Sequence, residues 1–448
     1  MNKKVKYGLL AGIPSLAYFI YRNYPKLNIL TGFAAKNVCS WTFEGGRSLE
    51  SIEAGDNNFL PVYYAKNEVD FEEKSVSSSI LGLKKRTAVF KKGIGSILLP
   101  DNFKGEIPKI PQPVRNFSAA NKGFPNGQQV YNIPTSPGIN IPALQLAVDS
   151  AFDRENENSK KTRAVLVLHK NKLVAEKYSP GFSENSKFLG WSMTKSVTNA
   201  VLGILEKQGR IFLEQNNLFP EWKNDERAKI SLNNLLQMNS GLEWEEDYST
   251  LSDVNRMLFM EKNMPHVQLE KPLKGKPNES WNYSSGTTNL LSWFIRKQFG
   301  SHQEYMDFWY RELIDKIGMN SMTIETDLEG NYIGSSYAWA TARDWAKFGL
   351  LYLNKGKWNG EQVLNESWVD YSAKPTNTSN GEYGAHFWLN AEGKYPNVPR
   401  DMFSCNGFQG QYIFIIPSKE MVIVRFGLTE DPQFNIDAFL KEILAAVS

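Results

Sequence analysis

Residues 190–210 read GWSMTKSVTNAVLGILEKQGR, and the reading of this stretch decides the fold. Met193, Val197, Val201 and Leu205 recur four residues apart with Ala200 and Ile204 beside them. That is the spacing of an α-helix with a buried face, and Gly209 supplies its stop. Ser192 stands in the first turn and Lys195 follows three residues on, so hydroxyl and amine share one face. A helix N-terminus favours developing negative charge, and a lysine stripped of water loses its proton more readily, which together make an activated nucleophile. The plain alternative is an N-cap serine beside a surface lysine, since a two-letter pattern matches by chance in a long chain. Ser192-Met-Thr-Lys195 is, however, the only S-x-x-K in the sequence, and no G-x-S-x-G elbow competes with it.

Outward from this helix, helical text dominates to about Gly318 and returns from Thr341 to Asn354. Upstream, Ile141 to Phe152 has helical spacing, and RAVLVLHKNKLVAEKY reads as two strands joined by a turn at Lys170-Asn171. Downstream, GAHFWLN, QYIFIIP and MVIVRFG read as strands, the last two around a Pro417–Glu420 turn, before an amphipathic helix from Phe434 to Val447. This order predicts one α/β domain over 141–448 with a helical insertion at about 205–335. Between Thr31 and about Pro100, short β-type runs alternate with Gly, Asn and Asp turns, which predicts strands and hairpins. The Pro- and Asn-rich text after Glu106 reads as a linker or wrapping arm, so 27–140 forms a β-rich extension.

At the start, Lys3, Lys4 and Lys6 precede an apolar run from Tyr7 to Tyr21 closed by Arg22. A basic region before a short apolar stretch predicts an export signal or membrane anchor over 1–26. The rest of the chain would then be membrane-anchored or exported, with the catalytic domain periplasmic or otherwise extracytoplasmic. Composition narrows the chemistry further. The 51 Lys+Arg against 48 Asp+Glu give a net charge of +3, which offers nothing to a dedicated nucleic-acid binder. Cys39 and Cys405 are too few for a disulfide framework, and His169, His266, His302 and His386 contain no ligand pair, so no metal or other cofactor is expected.

Two further stretches carry chemistry. In PNESWNYSSGTTNLL, Tyr283 and Ser285 sit where a loop turns into a helix; a tyrosine beside a lysine ammonium has a lowered pKa and shuttles protons. The alternative reading has Tyr283 capping a core layer and Ser285 as an N-cap. In CNGFQGQYIFIIPSKEMVIV, Gly407 and Gly410 punctuate a strand hairpin, a site either of close approach by another backbone or of a simple β-bulge.

Ser192-x-x-Lys195, then Tyr283-x-Ser285, then Cys405-Asn406-Gly407 in that order resembles the serine β-lactamase and penicillin-recognising family. Within it the chain is most similar to class C-like esterases and 6-aminohexanoate-dimer hydrolases. LNNLLQMNSGLEWEEDY and YAWATARDWAKFGLLYLNKGKWNGEQVL share the likeness, which runs from about Ile141 onward, and the TGFAAKNVCSWTFEGGR opening is also familiar from some members. The resemblance implies a β-lactamase/transpeptidase-like α+β fold, an antiparallel sheet flanked by helices. It makes Ser192 the acyl-forming nucleophile, Lys195 its base and Tyr283 the proton shuttle. The amides of Ser192 and Phe408 would form the oxyanion hole. Ser285, Tyr248, Asn406 and Gly407 would support or line the substrate cleft. Because the third motif carries no charge where drug-hydrolysing members usually have Lys-Thr-Gly, the expected substrate is a small ester or amide rather than a β-lactam. A cell-wall or D-amino-acid peptidase and a catalytically silent ligand sensor are the alternatives. The oligomeric state stays open. Glu361-Gln-Val-Leu-Asn365 follows an Asn-Gly turn and Thr341-Ala-Arg-Asp344 fits a helix N-cap, so both read as structural. The Asn278 and Asn282 sequons read as chance matches.

Overall fold

Thr162–His169 and Lys172–Tyr178 are rich in Val, Leu and Ala, and the left-handed pair Lys170 and Asn171 turns one into the other. In the computed structural model, which describes residues 24–117, 123–127 and 138–447, these two strands form one side of a six-stranded antiparallel sheet. Its order is Trp388–Leu389, Phe403–Gly407, Gln411–Ile416, Met421–Gly427, Thr162–His169, Lys172–Tyr178. The central strands are buried on both faces, which is why their text is continuously apolar. Ile141–Ser150 and Ile436–Ala445 cover one face, packing Leu144, Val148, Leu440 and Ile443 against Val165, Phe414 and Ile423. The helices Thr194–Lys207 and Ala342–Leu353 lie in the larger cluster on the other face, with Leu166, Ile413 and Val424. The architecture is α+β with an antiparallel sheet flanked by helices, as read from the sequence.

Between Thr194 and Thr323 the described chain carries helices and turns without a named strand, Thr194–Lys207 and Ser285–Arg296 being the longest helices. Asn359-Gly360 turns a two-residue hairpin, and Glu361 pairs with Lys316 away from the cleft at 2.7 Å. Thr341 caps Ala342–Leu353 by accepting from the Asp344 amide at 3.3 Å.

The region before residue 100 departs from the expected strands. A helix occupies 24–43, where Thr31 onward reads as β text, and the four strands begin only at Lys66. Residues 34–41 of this helix are buried without exception. Thr31, Lys36, Asn37 and Ser40 are buried among its apolar residues. Gly32 shows how tightly it is held: an added Cβ would lie 3.2 Å from the Phe259 carbonyl oxygen and 3.2 Å from Leu98. The strands Lys66–Asp70, Ser75–Ile80, Leu83–Lys91 and Gly95–Leu98 then form an antiparallel meander. GAHFWLN likewise yields only the short strand Trp388–Leu389.

Past the meander, Arg115 fastens the Pro-rich stretch by donating to Asp315 at 2.8 Å and to the Met322 carbonyl at 2.9 Å. The export segment expected over 1–26 lies outside the described residues except for 24–26, which open the helix. Among the described residues no helix is long and apolar enough to cross a membrane.

Candidate active site

The turn that carries Ser192 starts three residues before the helix. Trp191–Met193 is a single 3-10 turn, and Trp191 holds left-handed backbone at φ 46°, a conformation costly for a tryptophan. Its ring is fixed by a stacked Phe33 at 6.2 Å and an edge-on Phe408 at 5.5 Å. Ser192 follows at the mouth of the turn, and Thr194–Lys207 runs inward with every residue from Thr194 to Leu205 buried.

Lys195 is 1 % exposed. Its Nζ donates to Ser192 Oγ at 3.0 Å, to Ser285 Oγ at 2.9 Å and to the Ser335 carbonyl at 3.1 Å. Burial pushes its pKa down to about 8, although Glu246 pulls the other way. The three partners settle what happens on loss of a proton. The Ser335 carbonyl accepts only, and Ser285 Oγ already donates to Glu246, so both require an N–H from Lys195. The lone pair of the neutral amine is left facing Ser192.

Ser285 is the first residue of Ser285–Arg296, and its neighbour Ser284 serves as the N-cap by accepting from the Thr287 amide at 2.9 Å. The capping role expected of Ser285 thus falls to Ser284. Tyr283 precedes the cap, wedged among Trp388 at 5.3 Å, Tyr383 at 5.8 Å and Trp281 at 6.4 Å. The Lys195 Nζ sits 4.8 Å from its ring centroid, and the Ser192 hydroxyl lies beside its phenol. The expected lowering of the Tyr283 pKa is reversed: burial, then Glu246, pushes it well above the ordinary phenol value. Desolvation disfavours the phenolate more than the nearby Ser192 hydroxyl supports it, so Tyr283 is held as the neutral phenol.

Phe403–Gly407 brings the third motif past Ser192. A Cβ at Gly407 would lie 2.2 Å from the Gly190 carbonyl oxygen, so the strand backbone touches the turn that carries Ser192. Asn406, Gly407 and Phe408 line the same cleft as Ser192, Tyr248 and Tyr283, a volume of about 510 Å³. Tyr248 stacks on Phe408 at 5.7 Å, with 16° between the rings. Ser285 lies beneath, against Lys195, and is fully buried. The site residues expected from sequence are thus brought to one place.

Sequence reasoning passed over Glu246. Its carboxylate accepts from the Ser285 amide at 2.8 Å, from Ser285 Oγ and from the Tyr248 hydroxyl at 3.0 Å, and also from the Trp244 indole. Only its place in the acidic run EWEEDY beside Tyr248 could have pointed to it. Lys394, Glu430 and Asp431 also line the cleft, which supplies charge that the uncharged third motif lacks. None of the four histidines lines it, and His386 is buried with its pKa pushed down to about 3.

Comparison with known proteins places the chain among relatives. A family model described as Beta-lactamase matches residues 148–445. A 6-aminohexanoate-dimer hydrolase of Paenarthrobacter ureafaciens is 24% identical over 327 residues, covering 67% of this chain and 80% of that protein. Among solved structures, a Bacillus anthracis protein described as a 6-aminohexanoate-dimer hydrolase superposes with a TM-score of 0.57 at 24% identity, covering 75% of this chain and 90% of that one. EstCE1, a hydrolase with promiscuous acyltransferase activity, gives 0.57 at 12% identity, covering 68% of this chain and 99% of its own. A penicillin-binding protein homologue from Caulobacter crescentus gives 0.54 at 12% identity, with 68% and 97% covered. At these identities the structural likeness speaks for the fold.

Proposed function

The chain belongs to the Beta-lactamase family and is a serine hydrolase of it, and from that premise we propose that it cleaves an ester or amide through an acyl-enzyme on Ser192. The observation that carries this reading is the hydrogen-bond set of Lys195, which leaves the amine lone pair aimed at Ser192 once the proton is lost. The neutral amine takes the Ser192 proton as Oγ attacks the carbonyl carbon. An Oγ–C bond forms, and the carbonyl oxygen becomes an oxyanion held by the amides of Ser192 and Phe408. The intermediate collapses, and Tyr283, as a neutral phenol, gives its proton to the departing oxygen or nitrogen and is refilled from the lysine. Water then repeats the sequence on the acyl-enzyme, with Lys195 again as base. Glu246 and Ser285 are positioning residues: they fix the lysine N–H directions and offset its positive charge.

The substrate is a small ester or amide, a reading supported by the 6-aminohexanoate-dimer hydrolase name of a sequence relative. Fluorophosphonate labelling tests the nucleophile, with the expectation that wild type labels and Ser192→Ala does not. Equal labelling would remove Ser192 from the mechanism. Assaying p-nitrophenyl esters, linear amides and D-Ala-D-Ala peptides side by side separates the esterase/amidase reading from a cell-wall peptidase. A ligand that binds with neither acylation nor turnover would favour a silent sensor.

A further inference from the structure

A second cavity, of about 300 Å³, opens behind the wall of the catalytic cleft. The two spaces share Tyr248, Ser249 and Phe408. Trp191, the residue before the nucleophile, also faces the second space. Its far side comes from outside the family match: Ile29, Leu30 and Phe33 of the helix 24–43, and Phe59 and Val62 of the loop that follows. Phe259 closes it, edge-on to Phe33 at 5.6 Å. A cavity of this size with apolar walls suits a small organic group.

The two spaces differ in chemistry and in which catalytic group they adjoin. The cleft side carries Tyr283, which faces the leaving group, together with the charged Lys394, Glu430 and Asp431. The apolar side adjoins Trp191 and Phe408, next to the amides proposed for the oxyanion hole. A carbonyl carbon bonded to Ser192 Oγ, with its oxygen in that hole and its leaving group toward Tyr283, has one substituent left to place. That substituent is the acyl chain; Ser192 lines the cleft and not the apolar cavity, so a chain reaching the cavity passes the Tyr248–Phe408 stack that the two spaces share.

We propose that this cavity holds the acyl chain of the substrate, so that the enzyme selects esters or amides of medium-length aliphatic or aryl-aliphatic acids that carry a polar leaving group. The inference rests on the acyl-enzyme reading above. It assigns the N-terminal helix a part in specificity that the family-matched region does not supply.

The test uses the full chain and p-nitrophenyl esters from acetate to dodecanoate, with alkyl acetates of matching length as the alcohol-side control. For the acyl series kcat/KM should climb about fourfold per methylene while the cavity fills, and then level off. The acetate series should stay flat. Leu30→Trp, which fills the cavity from the helix, should cut kcat/KM on the long acyl esters by at least about tenfold and leave acetate within about twofold. Phe59→Ala, which opens the outer wall, should move the optimum to longer chains. A flat acyl series would overturn the proposal, as would dependence on the alcohol chain instead, or a Leu30→Trp loss equal at every length. These failures are distinct from failure of the hydrolase reading, whose mark is no ester turnover at any length together with an unlabelled Ser192.

Discussion

Two helices of this molecule are buried almost all round: 24–43, with 34–41 fully enclosed, and Thr194–Lys207, enclosed from Thr194 to Leu205. The second was legible as a helix in the sequence and the first was not. Thr194–Lys207 mixes Val, Ala, Leu and Ile at four-residue spacing and ends on Gly209, whose amide returns to Glu206 at 2.8 Å while Arg210 closes back on Leu205 at 3.0 Å. The N-terminal helix buries Thr31, Lys36, Asn37 and Ser40 as well as its apolar residues, just as Thr194–Lys207 buries Thr194, Lys195, Ser196, Thr198 and Asn199, so buried polar residues do not separate the two. The N-terminal helix is specified by what surrounds it. Lys36 pairs with Glu325 across the interface, Trp41 meets Trp339 edge-on at 4.7 Å, and Asp56, just beyond, grips Arg163 through two 2.7 Å bonds. A region outside the family match is therefore as much core as the helix behind Ser192.

The largest effect expected falls on the second helix. Ser192→Ala and Lys195→Ala should each lower kcat/KM by about 10⁴-fold or more, with thermal melting nearly unchanged. A melting loss instead would mean that these residues serve the fold. The counterpart on the first helix is stability. Lys36→Met leaves the Glu325 carboxylate buried without its partner and should cost about 3–5 kcal/mol in denaturant unfolding, with Lys36→Met/Glu325→Gln recovering much of it. An unchanged midpoint would show the N-terminal helix to be an appendage.

The pH profile reads the charge around Lys195. The base form grows as pH rises through about 8, so kcat/KM should climb across that midpoint. Because Glu246 holds the lysine pKa up, Glu246→Gln should move the midpoint to lower pH and reduce the plateau about tenfold by loosening Ser285. A midpoint that stays put would detach Glu246 from the lysine. The smallest signal is thiol labelling. Cys39 on the first helix and Cys405 beside the site are both buried with pKa values pushed up to about 12, so iodoacetamide at neutral pH should modify each only when its region opens. Equal rates would mean the two regions open together, and faster modification of Cys39 would mean the first helix opens alone.

What could be read from sequence follows the range of each interaction. Ser192 and Lys195 are three residues apart on one helix, and Tyr283 and Ser285 flank one cap, so local spacing carried them. The sheet was legible because its central strands are continuously apolar with marked turns. Glu246 and Lys394 act across the fold from loops without periodicity, and only the acidic run beside Tyr248 marks Glu246. The direction of the Tyr283 shift was misread for a related reason: the neighbouring lysine was evident in the motif, while the burial that outweighs it arises in large part from Tyr383 and Trp388, brought in from elsewhere beside the adjacent Trp281.

The contact between Gly407 and the Gly190 carbonyl sets a fixed gauge for the site. The two backbones proposed to hold the oxyanion lie as near as glycine allows, and any side chain at 407 would force them apart. Variation in what is hydrolysed then has little room at the carbonyl itself. It must be written in the walls, in Phe408, Tyr248 and the apolar face of the first helix, where a change of volume leaves the gauge intact.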